Sequence, residues 1–370
     1  MTTEATLNAN SKIRFSALTG VRFLAVCLVF IYHNRKYWRA NLHPELIRLI
    51  NEFHVGVSLF FVLSGFLIAY TYQDKPLSAA SNYVKYFLVR CARILPLYWL
   101  ILSIYYLDKS YGNFHFSALT YTLAHGYSDL HNLDGLNQAW SLTVEMTFYL
   151  FAPLLFFIKK KHLLWLLASM ALLFLLFWSI GFIWQIINKN PQRYFKPMMF
   201  LLMGSFPGRS TDFLCGMILA TAVKNASTWL IKIPYKTILG FSGMFISIYI
   251  IGLFQQDMYH HGYDNPIGMI LSKTILPASM MILLAGLIYE KTQLQRILGS
   301  NFLVLLGNAS FAFYLIHISY VNLKLKDWFL LPDRNFIILW IISIVLYKYF
   351  ETPVYNFCRK LLMGKGVDKL

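Results

Sequence analysis

Two ionisable residues, Arg22 and His33, lie eleven positions apart in a largely apolar stretch near the start of the chain. Eleven helical steps of about 100° make three turns plus about 20°, so both side chains point the same way, about 16 Å apart along the axis. Histidine is the commonest general base. This face suits a long substrate with its anionic end at Arg22 and its reactive end at His33. The alternative is that Arg22 extends to the membrane surface and His33 merely lies at the opposite interface.

A second basic pair, Arg90 and Arg93, lies three positions apart in the sequence. Positions i and i+3 share a helix face. Two planar guanidinium groups on one face form a fork that suits a phosphate group. The alternative is that the two arginines only anchor a helix end at the cytoplasmic membrane surface.

A carboxylate, Glu145, opens another apolar run, in the segment Trp140-Ser141-Leu142-Thr143-Val144-Glu145. We expect Ser141 to be the N-cap of a helix and Glu145 to lie one turn inside it. A carboxylate at membrane depth needs a partner, and His33 is one candidate, which Glu145 would hold and polarise for proton transfer. The alternative is a helix-start carboxylate that the helix dipole stabilises.

Two weaker candidates are Ser64 and His317. Ser64 is a hydroxyl nucleophile in principle, but no GxSxG elbow surrounds it, and the segment Gly56 to Phe66 is better explained by close helix packing through small residues. His317 is equally well read as a core histidine or as a substrate contact. The sequence has no HExxH motif, no phosphate-binding P-loop and no recognisable metal-ligand spacing, so we predict no metal and no nucleotide hydrolysis.

The elements that position these residues follow from composition. The 370 residues are 58% hydrophobic and only 13% charged, whereas soluble domains have about 25% charged residues. The apolar runs are long and lack alternation, which predicts an all-α, polytopic transmembrane helical bundle and not a barrel. The net charge of +17 is assigned to loops between spans and not to nucleic-acid binding. The four cysteines, without a CxxC pair, are read as apolar fillers.

We predict about ten spans in a single membrane domain over residues 1–370, with a core at about 14–360. The first apolar run is read as a retained span and not as a cleaved signal peptide. The distribution of Lys and Arg favours cytoplasmic N- and C-termini. The sixth span is expected to be a broken helix, because proline and glycine interrupt it. The predicted spans are 17–33, 54–72, 90–107, 141–158, 163–187, 198–223, 237–254, 267–289, 302–322 and 335–351.

Taken in order, these motifs resemble the acyltransferase-3 family of integral-membrane O-acyltransferases over about residues 14–360. Six separate motifs carry the resemblance, so it is specific. One departure is Ser58, where many members have an acidic residue. The matching residues are Arg22 and His33; Gly56 to Phe66; Arg90, Arg93 and Pro96 to Trp99; Trp140 to Glu145 and Phe148 to Leu150; Tyr314 to His317; and Glu351 to Pro353.

The resemblance implies an acyl-CoA donor, commonly acetyl-CoA, as a substrate, and no other cofactor. The acceptor would be a hydroxyl of a cell-envelope glycan such as lipopolysaccharide O-antigen, of a lipid-linked acceptor, or of a secondary metabolite. By this resemblance Arg22, Arg90 and Arg93 face the CoA phosphates. His33 acts as the general base with Glu145 as a second catalytic residue. Ser64, Trp140, Ser141 and His317 are further site candidates.

The resemblance also implies a multi-pass protein of the bacterial inner membrane, in contact with membrane lipid, and leaves a homo-oligomer open. Some members carry an additional soluble esterase-like domain. We expect the membrane domain here to reach its acceptor by itself. The competing interpretation is a secondary transporter of a small polar solute, which would also place charged residues and broken helices at membrane depth. A transporter should show an internal repeat, and none is visible.

Overall fold

A computed structural model describes residues 2–38, 42–77, 79–107, 118–128, 131–157, 195–256, 260–319, 321–322, 324–325 and 332–363. All regular structure in these ranges is helical and contains no β-strand, which confirms the all-α prediction for this part of the chain. The physical reason is that a helix satisfies its backbone polar groups within one segment, as hydrocarbon requires. All four cysteines are free thiols.

The described ranges contain sixteen α-helices with defined bounds, numbered in chain order. They are α1 (Thr2–Trp38), α2 (Pro44–Asn51), α3 (Gly56–Tyr72), α4 (Ala80–Leu107), α5 (Ala118–Tyr121), α6 (Trp140–Phe157), α7 (Phe195–Gly204), α8 (Phe206–Lys224), α9 (Thr228–Lys232), α10 (Lys236–Leu253), α11 (Pro266–Lys273), α12 (Ile275–Tyr289), α13 (Gln293–Leu298), α14 (Asn301–Ile316), α15 (Pro332–Leu346) and α16 (Thr352–Met363). Short 3₁₀ turns cover Phe53–Val55, Ala124–Tyr127, Asn137–Ala139 and Gly262–Asp264, and a π-helical turn covers Tyr347–Glu351.

Seven helical stretches in the described ranges are long and apolar enough to cross a membrane, so the chain is a multi-pass integral membrane protein. The count of ten spans and the cytoplasmic placement of the termini stay predictions. These stretches are Phe15–Tyr37, Pro44–Tyr72, Ala80–Leu107, Asn137–Phe156, Lys236–Leu253, Pro266–Tyr289 and Arg334–Met363.

The remaining predicted spans differ in length or continuity. The sixth is broken, as expected: α7 ends at Gly204 and α8 begins at Phe206. The ninth, α14, has only 16 residues, which is short against the ~20 residues that a hydrocarbon core requires. The predicted span 163–187 lies outside the described residues.

The described residues group into two compact units. The first unit comprises Met1–Tyr70, Thr211–His317 and Leu325–Tyr347, and the second comprises Thr71–Ser210, Ile318–Lys324 and Lys348–Leu370. The prediction of one membrane domain over 1–370 stays a prediction.

In the first unit, glycines let helices approach closely. A Cβ atom on Gly307 in α14 would lie 2.0 Å from the carbonyl oxygen of Thr19 in α1. A Cβ on Gly65 in α3 would lie 2.1 Å from the carbonyl oxygen of Phe213 in α8. No real Cβ could occupy these positions, so the packing requires small residues, as membrane helix interfaces generally do. This confirms the packing interpretation of the segment that contains Ser64 and Gly65.

In the second unit, α4 packs against α6 and α16. The ion pair between Arg93 in α4 and Glu351, 3.6 Å apart, lies at the contact between α4 and the segment that leads into α16. The carboxylate of Glu351 is buried. An ionisable group at this depth requires an opposite charge beside it, which Arg93 provides.

Candidate active site

His33 is exposed near the C-terminal end of α1. The structure confirms that Arg22 and His33 lie on one continuous helix, so the common direction inferred from their spacing holds. Arg22 is half-buried. A continuous helix with a half-buried cation and an exposed imidazole eleven residues further on can align a long anionic molecule along its axis.

The ring of His317 lies beside the ring of His33, with 5.2 Å between the ring centroids. His317 follows α14 as its C-cap residue and is fully buried. Its Nδ1 lies 2.6 Å from the carbonyl oxygen of Tyr314. Because a carbonyl can only accept a hydrogen bond, we assign the proton to Nδ1. Two residues that the sequence named separately therefore form one pair of imidazoles.

Further aromatic and imidazole rings continue from this pair. The Tyr32 ring is 4.9 Å from that of His33 and 5.5 Å from that of His54. The Tyr32 hydroxyl lies 3.1 Å from Nε2 of His261. Burial lowers the pKa of His261, an effect that nearby Asp264 opposes and Arg35 reinforces, so this ring is neutral at neutral pH. Sequence reasoning missed Tyr32, His54 and His261 because they belong to no motif and meet only through folding.

Glu145 lies in the second unit, in α6. The hydroxyl of Tyr149, one turn further on, donates a hydrogen bond to its Oε1. The expected pairing of Glu145 with His33 stays a prediction. The helix begins at Trp140, so Ser141 lies inside it and the predicted N-cap position is wrong. The buried Ser141 hydroxyl donates to the carbonyl of Gln138 at 3.0 Å, because a preceding 3₁₀ turn leads directly into α6.

Trp140 and Ser64, two further site candidates, lie in contacts between helices or side chains and not in the basic pocket described below. The guanidinium of Arg209 lies 5.8 Å from the centre of the Trp140 ring, within the range of a cation–π contact. The same guanidinium donates from Nε to the carbonyl of Met203 at 2.7 Å. Ser64 is half-buried in α3, next to the close contact at Gly65.

A basic pocket of about 210 Å³ lies in the second unit. Arg90 lines it together with Lys85 and Arg359, so three cations surround one cavity. Nη2 of Arg90 donates to the hydroxyl of Tyr72 at 2.6 Å. Tyrosine hydroxyls and an asparagine amide also line the cavity and offer uncharged hydrogen-bonding groups to a ligand. Its lining residues are Thr71, Tyr72, Leu77, Asn82, Lys85, Tyr86, Val89, Arg90, Tyr355, Arg359 and Met363.

Arg93 does not line this basic pocket. Its guanidinium is 3.6 Å from Glu351 and 5.6 Å from the centre of the Tyr355 ring. Of the two arginines, only Arg90 lines this pocket, and the fork of Arg90 and Arg93 stays a prediction. Lys85 and Arg359 were missed as site residues, since in sequence they are indistinguishable from the basic residues that flank any membrane span.

Comparison with known proteins identifies the family to which this chain is similar. The model of the acyltransferase-3 family, described as an acyltransferase domain, matches residues 15–347. A protein of Staphylococcus aureus strain COL, provisionally named an O-acetyltransferase, is 25% identical over 92% of this chain and 58% of its own length. The chain thus spans less than two thirds of the length of the first curated relatives that it matches.

Two other relatives carry specific names. The acyltransferase MdmB of Streptomyces mycarofaciens is 26% identical over 82% of this chain and 78% of its own length. The O-acetyltransferase OatA of Staphylococcus aureus strain NCTC 8325 is 22% identical over 91% of this chain and 56% of its own length. No solved structure matches the chain.

Proposed function

This chain belongs to the acyltransferase-3 family, and from that premise we propose that it is a membrane-bound O-acyltransferase. It transfers an acyl group, in the first instance acetyl, from acyl-CoA to a hydroxyl of a cell-envelope glycan such as lipopolysaccharide O-antigen. It works in the bacterial inner membrane. The observation that carries the proposal is the imidazole pair of His33 and His317, with ring centroids 5.2 Å apart, in which the exposed member can reach an acceptor.

His33 is the general base of the proposed reaction. It takes the proton of the acceptor hydroxyl as the oxygen attacks the thioester carbonyl carbon. The tetrahedral intermediate then collapses, the carbon–sulfur bond breaks, and the CoA thiolate takes the proton back from His33. His317, held by the carbonyl of Tyr314, is a positioning residue that fixes the orientation of the His33 ring. Glu145, which accepts from Tyr149, is the second acid–base candidate.

The donor is recognised by its phosphates. Arg90, Lys85 and Arg359 line one pocket, and guanidinium groups bind phosphate oxygens through charge-assisted hydrogen bonds. Arg22 lies on the helix that carries His33 and is proposed to bind another anionic group of the donor. Arg93, whose guanidinium lies 3.6 Å from the carboxylate of Glu351, is proposed to take part in the same phosphate recognition.

The test uses inside-out membrane vesicles, which expose the cytoplasmic face to acetyl-CoA labelled in the acetyl group. We expect labelled glycan or lipid and stoichiometric CoA release from the wild-type chain. His33→Ala should lose about 10²- to 10⁴-fold in rate, the usual size of a general-base contribution. His131→Ala is the matched control, because this histidine is exposed and lies in the second unit.

The outcomes separate the alternatives. Label in a small secreted metabolite and not in a glycan would keep the chemistry and replace the acceptor. A transporter would move solute and leave the thioester intact. Equal label transfer by His33→Ala and the wild type would rule out His33 as the base.

A further inference from the structure

A carboxylate and two imidazoles lie close together near the C-terminal end of α1. The proposed acyl transfer uses none of the three. Glu52 lies between α2 and the turn Phe53–Val55, which contains His54, and His261 directly precedes the turn Gly262–Asp264. One ligand atom from each of Glu52, His54 and His261 lies within 4.8 Å of those of the other two. All three belong to the first unit. We call them the Glu52 cluster.

Two atoms of the Glu52 cluster are buried without a hydrogen-bond partner among the described residues. Glu52 is 0% exposed. Its Oε1 accepts from the backbone N–H of Gly262 and from Nε2 of Gln255, both at 2.7 Å, but its Oε2 accepts no hydrogen bond. Nδ1 of His261 is also buried without one. Buried polar atoms without a partner destabilise a fold, and a cation between these two would satisfy both.

The donor set fits a transition-metal ion of the zinc class. Neutral imidazole nitrogen and carboxylate oxygen bind Zn²⁺ at about 2.0–2.2 Å in tetrahedral geometry, which sets ligand atoms about 3.4 Å apart. Oε2 of Glu52 and Nδ1 of His54 are 3.8 Å apart. This nitrogen also lies 3.4 Å from the carbonyl oxygen of Asn51, a contact that a bound metal ion would replace. The widest separation of 4.8 Å would have to close by about 1.4 Å, which side-chain rotation in the half-buried His54 and His261 can supply.

The surrounding contacts are those that a metal ligand needs. A ligating histidine usually gives its second ring nitrogen to a polar partner, which fixes its tautomer. Nε2 of His261 has such a partner in the Tyr32 hydroxyl at 3.1 Å. The second carboxylate oxygen of Glu52 is fixed by Gly262 and Gln255. One oxygen of Glu52 and one nitrogen of His261 are thus held by the protein, and the other polar atom of each side chain remains for an ion.

We propose that Glu52, His54 and His261 bind one divalent transition-metal ion of the zinc class. The ligands are Oε2 of Glu52, a ring nitrogen of His54 and Nδ1 of His261, and a fourth position is left to an exchangeable ligand. The sequence prediction of no metal is revised here, because the ligands come from two distant segments with no motif spacing. The ion joins the turns at residues 52–54 and 260–264 next to Tyr32, and so supports the end of the helix that carries His33.

The test measures metal directly in the full-length chain, purified in detergent through a tag without histidine. The protein is stripped with a chelator, incubated with ZnCl₂ or CoCl₂, desalted, and analysed by mass spectrometry for metal per chain. Wild type should retain about one ion per chain. The Co²⁺ form should show the intense visible absorption of a tetrahedral site, and ion binding should raise the melting temperature of the protein.

Four variants complete the test. His54→Asn and His261→Asn should each lose the bound ion and the Co²⁺ absorption, whereas His131→Asn, an exposed histidine of the second unit, should keep both. Tyr32→Phe keeps all three ligands and should weaken affinity by about tenfold, which gives a readout even if a ligand variant folds poorly. Retention of less than a tenth of an ion by the wild type, or equal retention by His261→Asn, would overturn the proposal. Activity does not enter this test, so its result is independent of the proposed acyl transfer.

Discussion

At the residue scale, the two arginines of the RxxR motif differ in their surroundings. Arg90 lines the basic pocket, whereas Arg93 lies 3.6 Å from the buried carboxylate of Glu351. The spacing of three residues correctly indicates a common side of α4. It does not indicate that one side chain turns to a cavity while the other meets a charge from a segment more than two hundred residues later in the chain.

The two arginines should therefore respond differently to substitution. In Arg90→Ala the loss of charge-assisted hydrogen bonds should raise the KM for acyl-CoA by about 10- to 100-fold, equivalent to roughly 1.5–3 kcal/mol. Arg93→Ala should lower stability by roughly 1–3 kcal/mol, because it leaves the buried carboxylate of Glu351 without its opposite charge. The loss is smaller than for a fully buried ion pair, since Arg93 is partly exposed.

Initial rates at varied acetyl-CoA concentration and melting temperatures in detergent would separate the two effects. Lys232→Ala, which removes a basic residue outside the pocket lining, is the control for general charge loss. If KM rises equally in Arg93→Ala and Arg90→Ala, both arginines bind phosphate, as the sequence pattern predicts.

At the element scale, helix contacts in the first unit depend on glycine at defined positions. A Cβ on Gly240 in α10 would lie 2.1 Å from the backbone nitrogen of Leu283 in α12. In the same helix a Cβ on Gly252 would meet its nearest atom at 3.5 Å, an ordinary van der Waals distance. The two glycines thus form a matched pair within one element.

We expect Gly240→Ala to destabilise the protein by about 1–3 kcal/mol, because a backbone atom cannot move aside as a side chain could. Gly252→Ala should be neutral or stabilising by up to about 1 kcal/mol, since alanine is the better helix former. Melting temperatures of the two variants in the same detergent provide the measurement. Equal effects at both positions would show that α10 and α12 are not in close contact.

The start of α10 depends on a carboxylate from the end of α12. Glu290 accepts from the backbone N–H groups of Lys236 and Thr237 at 2.6 and 2.9 Å and from the Thr237 hydroxyl at 2.7 Å. Partial burial would raise the pKa of Glu290, but the hydrogen bonds from Thr237 and Lys236 and the charge of Lys236 outweigh this effect, so its pKa is lowered.

A carboxylate whose pKa is lowered on folding stabilises the protein fully above its unfolded pKa of about 4.3. That contribution is lost as the pH falls through the folded value. Glu290→Gln should therefore lower stability by roughly 1–2 kcal/mol at pH 7, and the gap to wild type should narrow below about pH 4. Thermal unfolding at both pH values tests this. Glu45→Gln is the control, because its ion pair with Arg48 is exposed and should contribute little. A gap that does not depend on pH would contradict the capping role.

At the scale of the whole molecule, the charge distribution predicts cytoplasmic N- and C-termini. On that topology His131 faces the outside and Lys85 faces the cytoplasm, and both side chains are exposed. In a chain whose four native cysteines are replaced, we expect His131→Cys to react with a membrane-impermeant maleimide in spheroplasts. Lys85→Cys should react only after the membrane is permeabilised. The reverse pattern would invert the topology and place the end of α1 that carries His33 in the cytoplasm.

The sequence alone determined the properties that depend on local spacing. The long apolar runs specify membrane helices, because hydrocarbon forces each segment to satisfy its own backbone. The helical period places Arg22 and His33 on one face of α1. Proline and glycine around residue 205 indicate the break between α7 and α8, since both residues disfavour a continuous helix. The order of six motifs indicates the family, which the match over residues 15–347 confirms.

Only the tertiary structure decided which distant residues meet. His317 comes beside His33, Glu52 and His54 come beside His261, and Arg359 joins Arg90 around one pocket. The physical reason is that each contact depends on which helices pack together, and packing between apolar helices is set by shape and small residues over whole faces. Periodicity within one segment carries no information about its partner, so the sequence identified His33 and the tertiary structure identified its surroundings.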